Sequence, residues 1–351
     1  MAGTDTAVIR LSELQDGQEA ECFAALVKKV RGITTRDQPY LRCYFRDKRV
    51  VVECPIWADN RFFNQAQHWV EGIAYRLRVK GELKPKYGMQ LQIIDIRPAK
   101  PEDAADGYDF FDLVESSDFP VPILWEKLRG LIDRYIEEPC LRQLLEAILT
   151  EHGDLFRKMP AAQGIHHSYT SGLLEHVWSM TRVAALLADH YARYYNNLNP
   201  PLNKGVVVAA AILHDIGKLR ELEYHPVEAK YTKHGNLIGH ILMGRDLVRE
   251  AARAIADFPE ETLLLLEHAI LAHHGKAEYG APKAPMTLEA LIVHYADELD
   301  AKINAVAREF LRPSPNNEPF TDKIFAVDNR RFYRGIPIEL PSAEDDLPPS
   351  L

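Results

Sequence analysis

Of the 14 histidines in the chain, 13 fall between His152 and His294. A single histidine is ordinarily a surface or packed imidazole, but these recur where helices should face one another. His176 shares an inward stripe with Leu173, Val177, Met180 and Val183, and His214-Asp215 ends the apolar run Val206–Leu213. His240 sits among Leu237, Ile241 and Gly244, the doublet His273-His274 closes Leu263–Ala272, and Asp297 lies within Leu291–Leu299. A polar group on a buried stripe needs a partner. Imidazole and carboxylate groups on several helices of one bundle are how such folds build metal sites. Without thiolates, the set favours manganese, cobalt, iron, nickel or zinc over a magnesium site made only of oxygens. The fitting chemistry is phosphodiester hydrolysis, which needs a nucleophile at neutral pH and charge stabilisation on the non-bridging oxygens. Lys218 then supplies a point charge for phosphate. Lys302, about one turn beyond Asp297, serves likewise or pairs with Glu298. His166 and His167 are candidates for lining the pocket, and equally for capping or surface roles.

The elements that must position these groups are helical. From Val121 onward, Leu124, Leu128, Leu131, Ile132 and Tyr135 recur at helical spacing. Amphipathic stretches follow at Leu141–Glu151, Thr170–Tyr195, Lys204–Asp215, Leu237–Ala256, Glu260–His274 and Met286–Phe310. Pro200-Pro201, Pro259 and Gly275–Pro285 punctuate them.

The first hundred residues read as β. Leu41, Cys43 and Phe45 alternate with Tyr40, Arg42 and Tyr44; Leu77, Val79, Gly81 and Leu83 alternate with Arg76, Arg78, Lys80 and Glu82. A polar turn, Arg46–Arg49, joins two strand-like runs, and a helix-like stretch, Asp59–His68, interrupts the strands. Five strands and one short helix suit a small closed barrel of the OB type, with a β-sandwich as the competitor on pattern alone. The expected fold is therefore multidomain, β plus all-α: an N-terminal five-stranded OB-fold followed by an all-helical domain.

His176, the His214-Asp215 doublet with Gly217-Lys218, and the distal Asp297 together resemble the HD superfamily of metal-dependent phosphohydrolases, over roughly residues 166–312. His240 and the His273-His274 doublet resemble its two-metal subset. The stretches HHSYTSGLLEH, HDIGK, LIGHI, HHGKAEYGAPKAP and ADELDAK, with the ending DNRRFYRG, are similar to the YhaM-type 3′→5′ exoribonucleases, which place an OB-fold before an HD domain. That resemblance implies one ion on His176, His214, Asp215 and Asp297. Asp215 would bridge to a second ion on His240 and one of His273 and His274, and Lys218 would face the substrate phosphate. It also implies two divalent transition-metal ions, manganese foremost, and release of nucleoside 5′-monophosphates from single-stranded RNA, with DNA as a second substrate. The domains implied are 1–100 for the OB-fold, 101–118 an acidic linker, 119–160 a helical connector, 161–312 the HD domain, and 313–351 an extension with a disordered tail. The rivals are an HD-type nucleotide phosphohydrolase or cyclic-nucleotide phosphodiesterase, and a nucleic-acid-binding module with a structural metal.

An OB barrel holds single strands by a basic groove and aromatic stacking platforms. Tyr40, Arg42, Tyr44, Arg76, Arg78, Lys80, Lys84, Lys86 and Tyr87 are the candidates, with Lys28, Lys29 and Arg31 beside them. The charge balance agrees: −9 overall, but +5 over residues 1–100, a cue for a polyanion partner. Seven acids and no base crowd Pro101–Asp118. Cys22, Cys43, Cys54 and Cys140 show no CxxC spacing, which points to a reducing cytoplasm. No apolar run approaches the roughly 20 residues of a membrane helix, and no signal peptide is readable. Self-association is compatible with this reading.

Overall fold

The computed structural model describes residues 8–34, 37–85, 87–109, 113, 116–117, 119–161, 169–224, 229–311 and 318–336. Lys86, His166 and His167, much of the acidic stretch and the acid-rich tail lie outside the described residues.

The N-terminal half is a closed barrel of β1 (Glu19–Ile33), β2 (Pro39–Arg46), β3 (Val51–Trp57), β4 (Ala74–Lys84) and β5 (Gly88–Pro98). The strand order β1-β2-β3-β5-β4 closes through the antiparallel β1–β4 pair, and β3 meets β5 in parallel. That order is the OB-fold, and the sandwich reading falls. Alternation sets the faces: Leu41, Cys43, Phe45, Leu77 and Val79 fill the interior and leave Tyr40, Arg42, Tyr44, Arg76, Arg78 and Lys80 outward. Leu83 departs from the expected pattern and is exposed as β4 leaves the barrel. Cys43 faces Cys54 across β2 and β3 as a free thiol, and burial pushes its pKa up to about 12.

The helix between β3 and β4 is only α1 (Phe63–Ala66), shorter than the Asp59–His68 stretch expected. No side chain caps its start, and Lys29 Nζ donates to the carbonyls of Ala66, Gln67 and Trp69 at 3.1, 2.8 and 2.8 Å just beyond it. The acidic stretch is also not simply a linker. Its start, Pro101–Asp106, is a 3-10 turn that docks on the barrel, where Asp103 is buried.

The helical half comprises α2 (Val121–Tyr135), α3 (Pro139–Phe156), α4 (Gly172–Tyr194), α5 (Lys204–Leu213), α6 (Lys218–Glu221), α7 (Lys233–Ile238), α8 (His240–Arg253), α9 (Glu260–Ala272) and α10 (Leu288–Leu311), with a two-stranded hairpin of β6 (Leu222–Glu223) and β7 (Lys230–Tyr231). The run Val206–Leu213 is buried all round, so α5 is the central rod against which α4, α9 and α10 pack. Asn203 caps it by accepting from Val206 N at 3.0 Å. The stretch Leu237–Ala256, expected as one helix, breaks at Gly239, whose φ of +81° only glycine adopts readily, so that His240 begins α8. No helix among the described residues is long and apolar enough to cross a membrane.

Candidate metal centre

The same local device positions two of the histidines. His214 and His273 each follow the last residue of a helix, and each Nδ1 donates to the carbonyl three residues back: Ala211 O at 2.8 Å and Ile270 O at 2.7 Å. The imidazole thereby satisfies a helix-end carbonyl that lacks a partner within its own helix. It also fixes the tautomer, because a carbonyl only accepts, and turns the Nε2 lone pair inward. His176 Nδ1 donates to Asp300 Oδ2 at 2.8 Å, His240 Nδ1 to Glu221 Oε1 at 3.1 Å, and His274 Nδ1 to Tyr279 O at 2.6 Å. Five histidines thus spend Nδ1 on orientation and keep Nε2 for the centre. Asp300 and Glu221 were not singled out in the sequence. Asp300 stands one helical turn beyond Asp297, the spacing that could have flagged it.

Asp215 divides its two oxygens between these nitrogens. Oδ2 lies 3.2 Å from His214 Nε2 and 3.8 Å from His176 Nε2, while Oδ1 lies 3.4 Å from His240 Nε2 and 3.9 Å from His273 Nε2. Asp297 Oδ1 adds contacts of 3.2 Å to His176 Nε2 and 3.8 Å to His214 Nε2. Three triads of ligand atoms each fall within 4.8 Å: His176, His214 and Asp215; His214, His273 and Asp297; His240, His273 and His274. Both members of the His273-His274 doublet therefore join the cluster.

The electrostatics suit a cation. Burial works against a charged His176, but the hydrogen bonds it donates to Asp297 and Asp300 outweigh it and raise its pKa to about 10. Burial likewise opposes ionisation of Asp215 and Asp297. Lys218 and His214 nonetheless hold Asp215 well below the usual carboxylate range, and His176 with His214 does the same for Asp297. His273 and His274 are held neutral, chiefly by burial. One observation tests the fit directly. Asp215 Oδ1, His240 Nε2 and His273 Nε2 are buried, have no hydrogen-bond partner among the described residues, and face one another. Each unpaired buried group costs about 1–3 kcal/mol. A shared divalent ion is the partner that satisfies an oxygen and two imidazole lone pairs together.

Lys218 is buried, donates to Asp215 Oδ2 at 2.5 Å, and faces a cavity of about 590 Å³ together with Asp215, His240, His273, His274 and Asp297. Lys302 also lines it, paired with Glu298 at 2.6 Å. Backbone proximity fixes the arrangement. A Cβ on Gly217 would stand 1.9 Å from His240 O and 2.5 Å from Gly244 N, so only glycine lets the Asp215–Lys218 segment lie against α8.

Residues 173–302 match the family model of the HD domain. That stretch of the helical half holds every residue of the His/Asp cluster. The match points to a metal-dependent phosphohydrolase, and the His/Asp cluster of the HD domain is where such metal would be held. Among solved structures, a domain of replication protein A from Methanococcus maripaludis shares 13% identity, with 26% of this chain and 96% of that chain covered and a TM-score of 0.22. The solution structure of the second OB-fold domain of the same protein gives 14%, 26% and 95%, and 0.21. An asparaginyl-tRNA synthetase from Entamoeba histolytica in complex with asparaginyl-adenylate gives 8%, 52% and 45%, and 0.23. The OB-fold rests on the strand order and closure described above.

The barrel candidates divide. Arg76 is engaged within the protein: its guanidinium holds Glu21 at 2.7 Å, Asp106 at 2.6 Å and Asp103 at 3.2 Å, and Arg97 grips the same Asp103. It clamps the 3-10 turn to the barrel. Lys29 is likewise spent on the end of α1. Arg78 pairs loosely with Glu19 at 3.7 Å and Lys84 with Glu82 at 2.7 Å, both on the surface. Counting the docked acids Glu102, Asp103 and Asp106 lowers the unit's surplus from five charges to two. The outer face of β2 keeps its character: Tyr40 packs on Trp57 with centroids 5.0 Å apart, and Arg42 Nε is buried without a hydrogen-bond partner among the described residues. Lys80 has no carboxylate partner among the described residues. Tyr44 is half-buried and Tyr87 exposed. Sequence reasoning missed Trp57, which is opposite Tyr40 in the β2–β3 register and half exposed.

Proposed function

We propose that the protein is a two-metal 3′→5′ exonuclease of single-stranded RNA, and secondarily of DNA, releasing nucleoside 5′-monophosphates. The observation that carries the two-ion reading is the division of Asp215: one oxygen toward His176 and His214, the other toward His240 and His273. His176, His214, Asp215 and Asp297 would hold one ion, and Asp215, His240, His273 and His274 the other. Divalent ions held there would supply Lewis acidity for phosphoryl charge and an activated water at neutral pH. Lys218 directs its ammonium into the cavity, where it contacts a non-bridging oxygen of the phosphate while Asp215 fixes its position. Asp300 and Glu221 keep His176 and His240 in the binding tautomer. The strand direction rests on the YhaM-type resemblance. The OB barrel, with Tyr40, Trp57, Arg42 and Tyr44 on one face, gives the reading a polymer substrate.

The test is direct. The protein is stripped of metal, given single divalent ions, and incubated with 5′-labelled single-stranded RNA. A ladder shortening from the 3′ end, strongest with manganese, is expected. Hydrolysis of free nucleotides alone would move the assignment to a nucleotide phosphohydrolase, and no turnover with any ion would leave a binding module.

A further inference from the structure

The cavity over the metal cluster has a wall that the HD domain does not supply. Residues 320–333 fold back on themselves: Phe320 bridges Tyr333, and Ile324 bridges Arg330. Three arginines at its returning end hold it in place. Arg334 donates to Phe310 O at 2.9 Å and Glu309 O at 2.8 Å at the end of α10, Arg331 Nε to Thr321 O at 2.8 Å, and Arg330 Nε to Val327 O at 2.9 Å. Thr321 and Val327 are buried as anchors. At the tip, Phe325 is 77% exposed and lines the same cavity as Asp215 and Lys218. Tyr231 and Tyr279, also exposed, share its rim.

A well-anchored loop that leaves a phenylalanine in water forgoes the gain of burying it. Exposed aromatics around a polar cleft mark a binding surface. Every nucleobase has a π-face, and stacking on an aromatic ring is tolerant of sequence. We infer that Phe325 is a stacking platform for the 3′-terminal nucleobase of a single strand, held beside the metal cluster by the 320–333 hairpin. This rests on the nuclease reading and deepens it. A base locked in a duplex offers no free face, so the platform makes the cleavage end itself select single strands, independently of the barrel.

The experiment uses the full chain in chelator, so that nothing is cut. It is titrated with a single-stranded RNA carrying 2-aminopurine at its 3′ end, whose fluorescence is quenched by stacking. Quenching is expected on binding; Phe325→Ala should lose most of it and weaken binding roughly fivefold to a hundredfold, and Phe325→Trp should restore both. Unaltered helicity confirms that the variant folds. Equal quenching in the alanine variant, or binding without quenching in the parent, overturns the proposal. So does a free 2-aminopurine nucleotide quenched as strongly as the strand, which would assign the platform to small nucleotides. The nuclease reading fails separately, if the metal-loaded protein leaves a labelled strand intact whatever the quenching.

Discussion

Arg76 on the barrel and His273 in the bundle are both polar groups held close against the protein, yet one is saturated and the other is not. Arg76 meets three carboxylates, while His273 Nε2, Asp215 Oδ1 and His240 Nε2 look at one another with no hydrogen-bond partner among the described residues. The barrel uses charge to fasten a segment, and the bundle keeps lone pairs in reserve. Residue type therefore says less about function than whether the group's bonding capacity has been used.

The largest effect should come from emptying the reserve. Asp215→Ala removes both oxygens shared by the two histidine pairs. Hydrolysis should fall by on the order of a thousandfold, and elemental analysis should show bound metal falling below one ion per chain. Undiminished turnover would show that the unsatisfied cluster is not the reaction centre.

A smaller effect concerns protons. The His176 pKa is raised from 6.5 to about 10 in the metal-free protein by Asp297 and Asp300, against the cost of burial. A group raised on folding contributes its stability below its unfolded value and loses it as pH climbs through the folded one. The metal-free protein should therefore lose thermal stability between about pH 6.5 and 10. Metal loading at pH 8 should expel about one proton per chain, read by calorimetry in buffers of different ionisation enthalpy. A flat melting temperature across that window would remove the charged His176 from the comparison.

The finest test lies within the barrel. Arg76→Ala should destabilise by about 1–3 kcal/mol through the loss of charged hydrogen bonds, seen as a lower melting temperature, with the salt dependence of strand binding unchanged. Arg42→Ala should leave melting nearly unaltered and reduce the slope of log K against log salt by about 0.7. The reverse pattern would mean that the saturated arginine is the contact after all.

Much of the site was legible because ligand chemistry restricts residue type: imidazoles and carboxylates at the ends of apolar runs stand out. The doublet His273-His274 could not be resolved by sequence, since the helix ends at Ala272, just before it, and both rings turn into the cluster. The role of Arg76 was hidden because Asp103 and Asp106 stand 27 and 30 residues later, in a stretch whose composition reads as a linker. Phe325 was hidden because no periodicity reports that a loop returns to a cavity. The closed barrel was legible from alternation and strand count, but excluding the sandwich was not, since that depends on which strand edges meet.

The contact of Gly217 with His240 O and Gly244 N has a consequence for what the centre can tolerate. At Gly217 the loop bearing Asp215 meets the start of the helix bearing His240 main chain against main chain, so their separation works as a rigid gauge. Main-chain contacts of this kind do not adjust by rotamer. An ion of different radius would then be accommodated only by swinging imidazoles about a fixed frame. A chain built this way should accept several metals of similar size and tune none of them by moving its helices.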